Sequence, residues 1–212
     1  MKIWFASGNL HKRKELTEIL KTNLKNPNDL EILSPKDFGL EFNPEEKGSS
    51  FLENALIKAR ELSRLLEEKR PAPFSPGDPI IADDSGICVD ALDESPGIYS
   101  ARYGGDGLSD ADRNSLLLSD LGDTANRKAR FVCAMVLYYS PERFFIAEES
   151  MEGEIVKNID AARGMGGFGY DPILYIKEAA LTVAELSSEE KNTTSHRAKA
   201  AKAIAKIFSG GL

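Results

Sequence analysis

The chain predicts an α/β fold built on a mixed β-sheet, and three observations carry that expectation. Short apolar runs at strand period alternate with amphipathic helical segments along the whole length. A strand, polar loop, helix sequence opens the chain, as layered α/β folds do. At least one hairpin joins two strands, at Pro141-Glu142, so the sheet should be mixed rather than purely parallel.

Taken in order, Lys2 to Ala6 reads as a short buried strand and Ser7-Gly8-Asn9 as a loop. A helix follows with Leu16, Ile19, Leu20 and Leu24 on one face. Leu30 to Leu33 is a second strand, and a polar loop continues to Ser49. Ser50-Phe51-Leu52-Glu53 has capping-box spacing, and Phe51, Leu52, Ala55, Leu56, Ala59, Leu62 and Leu65 follow at helical period. Lys69 to Pro79 holds Pro71, Pro73, Pro76 and Pro79 and predicts a loop. Ile80 to Ala82 is apolar strand running into Asp83-Asp84-Ser85-Gly86, where a turn is expected, and Ile87 to Leu92 resumes the strand. Ser109 to Asp112 caps a helix ending near Leu121. Phe131 to Tyr139 alternates as a strand, Phe144 to Ala147 forms the returning strand, and Gly153 to Val156 forms a further one. Gly164 to Gly169 is a glycine-rich loop before the strand Ile173 to Ile176, and a last helix runs from after Ser195 to Phe208.

Bulk properties bound the function. A length of 212 residues suits one sizeable core, a single domain over 1–212 that could be bilobed. A formal charge of -7 argues against binding long nucleic acid, whose phosphates demand a basic surface. No apolar run is long enough to span a bilayer and no signal-peptide core follows Met1, which predicts a cytoplasmic protein without membrane attachment. Cys88 and Cys133 lie in apolar strand-like runs and are expected to be buried and unpaired. Basic residues cluster at His11 to Lys14 and at Lys191, His196, Arg197, Lys199, Lys202 and Lys206, a pattern suited to a small polyanion.

The chemistry concentrates at Asp83 and Asp84. Two carboxylates at a strand's end are costly unless a cation meets them, and a hard divalent ion with phosphate oxygens is the usual partner. Neighbours on an extended chain point opposite ways, so their roles cannot be apportioned from sequence. Ser7 to Lys12 lies where a strand enters a helix N-terminus, which favours an anion. Lys12, Arg13 and Lys14 could equally be a solvated face, although cations in a first helical turn oppose the dipole. Gly164 to Gly169 fits the glycine spacing of a dinucleotide fingerprint, but a strand follows instead of a helix, so that reading fails. Its glycines permit either a close backbone approach to a ligand or a tight turn, and Phe168 and Tyr170 offer flat faces for a purine.

These segments together resemble the inosine/xanthosine triphosphate pyrophosphatases. The resemblance rests on six blocks in order: SGNLHKRKE from Ser7, EKGSSFLENALIKA from Glu46, IIADDSGICVDAL from Ile80, PGIYSARY from Pro96, GGFGYDP from Gly166 and EEKNTTSHR from Glu189. The chain departs from that pattern in a longer proline-rich loop, in Met165 where a small hydroxyl residue is usual, and in Thr194 where an aliphatic is usual. What the resemblance implies is an elongated α/β fold with two lobes around a central nucleotide-binding cleft, a homodimer, and magnesium-dependent hydrolysis of inosine, deoxyinosine and xanthosine triphosphates to monophosphate and pyrophosphate. It implies that Ser7, Gly8, Asn9, Leu10, His11 and Lys12 hold phosphates, and that Asp84 accepts a proton and shares a magnesium ion with Glu46. Ser85, Phe168, Gly169, Tyr170, Asp171, Lys191, His196 and Arg197 would bind nucleotide, and Lys58 would contact phosphate. Arg197, rich in donors and unable to accept, is the expected reader of the base edge, with backbone groups of the Phe168 to Asp171 loop as the alternative. A non-catalytic nucleotide sensor and a phosphatase releasing orthophosphate are the rival classes, and product identity separates all three.

Overall fold

The computed structural model describes residues 1–24, 27–164, 166–208 and 210; Met165, one of the departures noted above, lies outside the described residues. Among the described residues, seven strands hydrogen-bond in the order β2-β1-β3-β4-β5-β6-β7. They are β1 Lys2–Phe5, β2 Glu31–Leu33, β3 Ile80–Val89, β4 Lys128–Ser140, β5 Arg143–Ile155, β6 Leu174–Ile176 and β7 Leu181–Thr182. The helices are α1 Leu10–Asn23, α2 Phe51–Lys69, α3 Asp110–Leu121, α4 Ser188–Thr194 and α5 His196–Phe208. The sheet is mixed, as expected: β1 runs parallel to β2 and β3, while β6 is antiparallel to both β5 and β7.

The chain divides into two compact units, Met1–Asp84 with Cys133–Glu149 and Arg197–Leu212, and Ser85–Val132 with Ser150–His196. In the first unit the period-2 rule sorts β1 onto two faces. Ile3 and Phe5 pack with Leu16, Ile19 and Leu20 of α1 and with Ala198, Ala201 and Ile204 of α5. Trp4 and Ala6 pack on the other face with Ala55, Ala59, Leu62 and Leu66 of α2. Helices therefore cover both faces, which is why these strands read as unbroken apolar runs. Each fully buried leucine on α2 contributes about 1.5–3 kcal/mol. The proline-rich loop closes over this second cluster: Trp4 Nε1 donates to Asp78 Oδ2 at 3.3 Å and Phe74 meets the Trp4 ring edge-on at 6.1 Å.

In the second unit, α3 buries Leu117, Leu118 and Leu121 against Ile87, Val89, Phe131, Ile173 and Leu174. Its start is fixed locally, since Ser109 and Asp112 form a reciprocal capping box.

Four expectations need correction. Asp83 to Gly86 is not a turn but the middle of a continuous β3, because its side chains find partners within the fold and the backbone keeps its ladder. Glu53 does not complete a box with Ser50; Ser50 caps α2, and the Glu53 carboxylate takes the Ser49 N–H and hydroxyl instead. The segments around Phe144 and Gly153 are one 13-residue strand, β5. The short helix α4, capped by Ser187 with Glu190, was not foreseen, and Ser195 closes it rather than only opening α5. Both cysteines are buried, and neither is in a disulfide. Among the described residues, no helix is long and apolar enough to cross a membrane.

Candidate active site

Of the residues singled out above, Ser7 to Lys12, Glu46, Lys58, Asp83, Asp84 and Arg197 lie in the first unit, and Ser85, Phe168 to Asp171, Lys191 and His196 in the second. Local chemistry builds the loop before α1. Ser7 Oγ accepts the Asn9 N–H and Asn9 Oδ1 caps the helix by accepting the Lys12 N–H, both at 3.1 Å. No acid occupies the first turn of α1, so its positive end is not neutralised internally.

Strand alternation then separates the two acids. Asp83 lies on the face covered by α1 and α5, and its Oδ2 meets Lys12 Nζ at 3.1 Å and Arg197 Nε at 3.2 Å. Arg197 Nη1 donates in turn to Glu15 Oε2 at 2.6 Å. Among the described residues, the buried Asp83 Oδ1 has no hydrogen-bond partner. Asp84 lies on the face covered by α2, where its Oδ1 accepts from Lys58 Nζ at 2.8 Å and its Oδ2 from Asn54 Nδ2 at 3.3 Å. Lys58 Nζ also reaches Glu46 Oε1 at 3.3 Å. Asn54, wholly buried, accepts the Gly48 N–H at 2.8 Å, so one amide ties the Glu46 loop to Asp84.

The electrostatics differ accordingly. Burial by itself would raise the Asp83 carboxyl, but the charges of Lys12, Arg197 and Lys58 outweigh it and hold that group far below the usual carboxylate range. Burial dominates at Asp84, whose carboxyl is raised despite Lys58 and Lys12. Burial opposes the charge on Lys58 too, yet Asp84, Asp83 and Glu46 raise its ammonium overall. Two adjacent acids are thus pushed in opposite directions, the pattern that separates a fixed counter-ion from a proton acceptor.

In the second unit, Asp171 organises the glycine-rich loop. Its Oδ2 accepts the Phe168 N–H and the Lys191 ammonium, each at 2.8 Å, and Lys191 Nζ sits 5.1 Å from the centre of the Phe168 ring. Gly167 has φ +75°, and a Cβ there would lie 1.9 Å from Asp171 Oδ2, so this glycine is required for the approach. Tyr170 is buried and donates its hydroxyl to the Ser100 carbonyl at 2.9 Å, whereas Phe168 is half-buried. His196 is buried with its ring stacked 4.9 Å from that of Phe131. Among the described residues, the Tyr170 backbone N–H has no acceptor.

The model of the Ham1 family matches residues 3–207. The chain belongs to this family. A Treponema denticola relative named dITP/XTP pyrophosphatase is 43% identical, over 99% of this chain and all of its own. A Thermus thermophilus relative of the same name is 42% identical, over all of this chain and 93% of its own. Among solved structures, the Staphylococcus aureus Ham1 protein aligns with TM-score 0.82 at 33% identity over the whole of both chains. A Mycobacterium abscessus structure described as a nucleoside-triphosphatase and dITP/XTP pyrophosphatase aligns at 0.70 with 38% identity, covering 98% of this chain and 97% of its own. The mixed seven-stranded sheet flanked by helices is the architecture shared with these Ham1 structures.

Sequence reasoning did not single out Asn54, Glu15, Ser100, Asp110 or Asn114. For Asn54 a signal existed: it and Lys58 fall in phase with the buried stripe of α2, alongside Phe51, Ala55, Ala59, Leu62 and Leu66. A polar side chain on an apolar stripe calls for a buried partner.

Proposed function

We propose that this Ham1 protein hydrolyses inosine, deoxyinosine and xanthosine triphosphates to the nucleoside monophosphate and pyrophosphate, removing deaminated purines from the nucleotide pool. The relatives' shared name supports the substrate class. The separation of the two acids, Asp83 onto Lys12 and Arg197 and Asp84 onto Lys58 and Asn54, is the observation that supports the mechanism. Asp84, raised by burial, is the proton acceptor; Asp83, locked by Lys12 and Arg197, is the fixed counter-ion that holds those cations in place.

The α1 N-terminus with Ser7 to Lys12 binds the phosphates, joined by Lys58. Water attacks the α-phosphorus, its proton passes to Asp84, the new P–O bond forms, and the bond to the bridging oxygen breaks to release pyrophosphate. Arg197 is wholly buried on Asp83 and Glu15, which favours the backbone of 168–171 over its guanidinium as reader of the base edge. The Tyr170 N–H suits a 6-keto purine and opposes the amino donor of adenine. Phe168 stacks on the ring, Asp171 and Lys191 hold the loop, and Ser85 and His196 complete the nucleotide contacts.

The donor set fits a divalent ion. Glu46 and Asp84 supply hard oxygen ligands, and both carboxylates already converge on one cation, the Lys58 ammonium, at 3.3 and 2.8 Å. Among the described residues no cluster of three or more ligating side chains forms a cage, which suits magnesium, since it takes one or two carboxylates and completes its shell from substrate phosphates and water. When bound it would neutralise phosphate charge and acidify water. The reading extends to a cytoplasmic homodimer, one catalytic domain per chain, that binds no nucleic acid.

Purified protein with magnesium is expected to convert inosine triphosphate directly to inosine monophosphate and pyrophosphate, with a chelator stopping turnover. Inosine diphosphate as the first product refutes the proposal.

A further inference from the structure

We infer that Asp110 and Asn114 are positioning residues that set base discrimination by clamping Gly169; the inference rests on the assignment of 168–171 as the base-reading loop. The geometry is a two-point hold from one helix face. Asp110 and Asn114 stand one turn apart at the start of α3, so they project on the same side. Asp110 Oδ2 accepts the Gly169 N–H at 2.7 Å, and Asn114 Nδ2 donates to the Gly169 carbonyl at 3.1 Å. Both polar backbone groups of one residue are thereby taken by side chains more than fifty positions away in sequence.

Ser109 and Asp112 already cap α3, so Asp110 is not the capping group. Asn114 is 4% exposed on the face that buries Leu117, Leu118 and Leu121, and among the described residues its Oδ1 has no hydrogen-bond partner. A buried amide with one unsatisfied acceptor is a standing cost that packing does not explain.

The clamp acts on the peptides that flank Gly169. Peptide planarity makes the N–H of Tyr170 follow the carbonyl of Gly169, and the carbonyl of Phe168 follow the N–H of Gly169. Gly169 holds φ +62° with open space where a Cβ would stand, so crowding does not fix its rotation. Other restraints fall on its neighbours: Asp171 Oδ2 accepts the Phe168 N–H, the Phe168 carbonyl accepts the Asp171 N–H at 3.3 Å, and Tyr170 is held by its hydroxyl on the Ser100 carbonyl and by its own carbonyl, which accepts the Ile173 N–H at 3.1 Å. Rotation of the Gly169 carbonyl would swing the Tyr170 donor away from a purine 6-keto oxygen. Discrimination then depends on two side chains that touch no substrate.

The test is kcat/KM for inosine, xanthosine, guanosine and adenosine triphosphates in Asn114→Leu, Asp110→Ala and Asp110→Asn, with melting temperatures alongside. Asn114→Leu and Asp110→Ala are expected to raise KM for inosine triphosphate and lower its preference over adenosine triphosphate about tenfold, with kcat little changed. Asp110→Asn, whose amide oxygen still accepts the Gly169 N–H, is expected to keep the wild-type ratio. Asp110 is exposed, so its variants carry the test if Asn114→Leu disturbs the core. Wild-type selectivity in both Asn114→Leu and Asp110→Ala overturns the inference while leaving the pyrophosphatase reading intact, as does a uniform loss of kcat on all four nucleotides. Release of inosine diphosphate by the wild type instead refutes the reading on which the inference rests.

Discussion

Replacing each member of the acid pair by asparagine should separate catalysis from stability. Asp84→Asn keeps shape but removes the proton acceptor. Its amide NH₂ would face a donor on one side, because Asn54 cannot flip without losing the Gly48 N–H at 2.8 Å. One buried hydrogen bond is therefore lost, worth about 0.5–1.5 kcal/mol. Relief of a carboxylate that burial already disfavours offsets that loss, and Lys58 retains Glu46 at 3.3 Å. The net change should stay within about 1 kcal/mol, or about 4 °C for a chain of this size. Asp83→Asn instead leaves Lys12 and Arg197 without the charge they share. Breaking a buried ion pair from one side costs about 3–5 kcal/mol, or about 6–20 °C in Tm. Calorimetry reads the stability, and pyrophosphate release from inosine triphosphate reads the chemistry. For Asp84→Asn the expectation is a near-native Tm, KM close to wild type and kcat lower by about 10²–10⁴-fold. Equal Tm losses in the two variants would refute the electrostatic asymmetry; near-normal kcat in Asp84→Asn would move the proton acceptor elsewhere.

Three further outcomes follow from the same structure. The Tm gap between wild type and Asp83→Asn should be constant near neutral pH and close as pH falls below about 3.9: a carboxyl depressed in the folded state stabilises above its unfolded pKa and loses that contribution as it is protonated. A gap that persists unchanged to about pH 2 would show that packing, not charge, is responsible. Gly167→Ala should lower both Tm and affinity for inosine triphosphate, since the new Cβ meets Asp171 Oδ2 at 1.9 Å and displaces the partner of Phe168 and Lys191; unchanged binding by calorimetric titration would remove the loop from the site. Burial pushes the Cys133 thiol up to about 12, so it should resist iodoacetamide in the native protein near pH 8 and react in urea, as peptide mass spectrometry would read.

What the sequence determined by itself was everything set by local rules. Asn9, Ser50 and Ser109 announce helix starts because a cap needs only a side chain reaching two or three residues ahead. Pro141-Glu142 announces the β4–β5 turn, and the apolar runs announce strands covered on both faces. The six ordered blocks announced the family, because motif order and spacing are linear properties. Tertiary structure alone decided what each charged group does. Asp83 and Asp84 are identical in sequence terms, yet one faces Lys12 and Arg197 and the other Lys58 and Asn54, and only packing makes burial win at one and charge at the other. Arg197 meets Asp83 across 114 positions and Glu15 across 182. The same distance hid the hold of Asp110 and Asn114 on Gly169, which no periodicity encodes. Asp83 to Gly86 shows the limit from the other side: Asp, Ser and Gly favour a turn by local propensity, and a strand won because the segment continues β3 within the sheet while Lys12 and Arg197 meet one carboxylate and Lys58 and Asn54 the other.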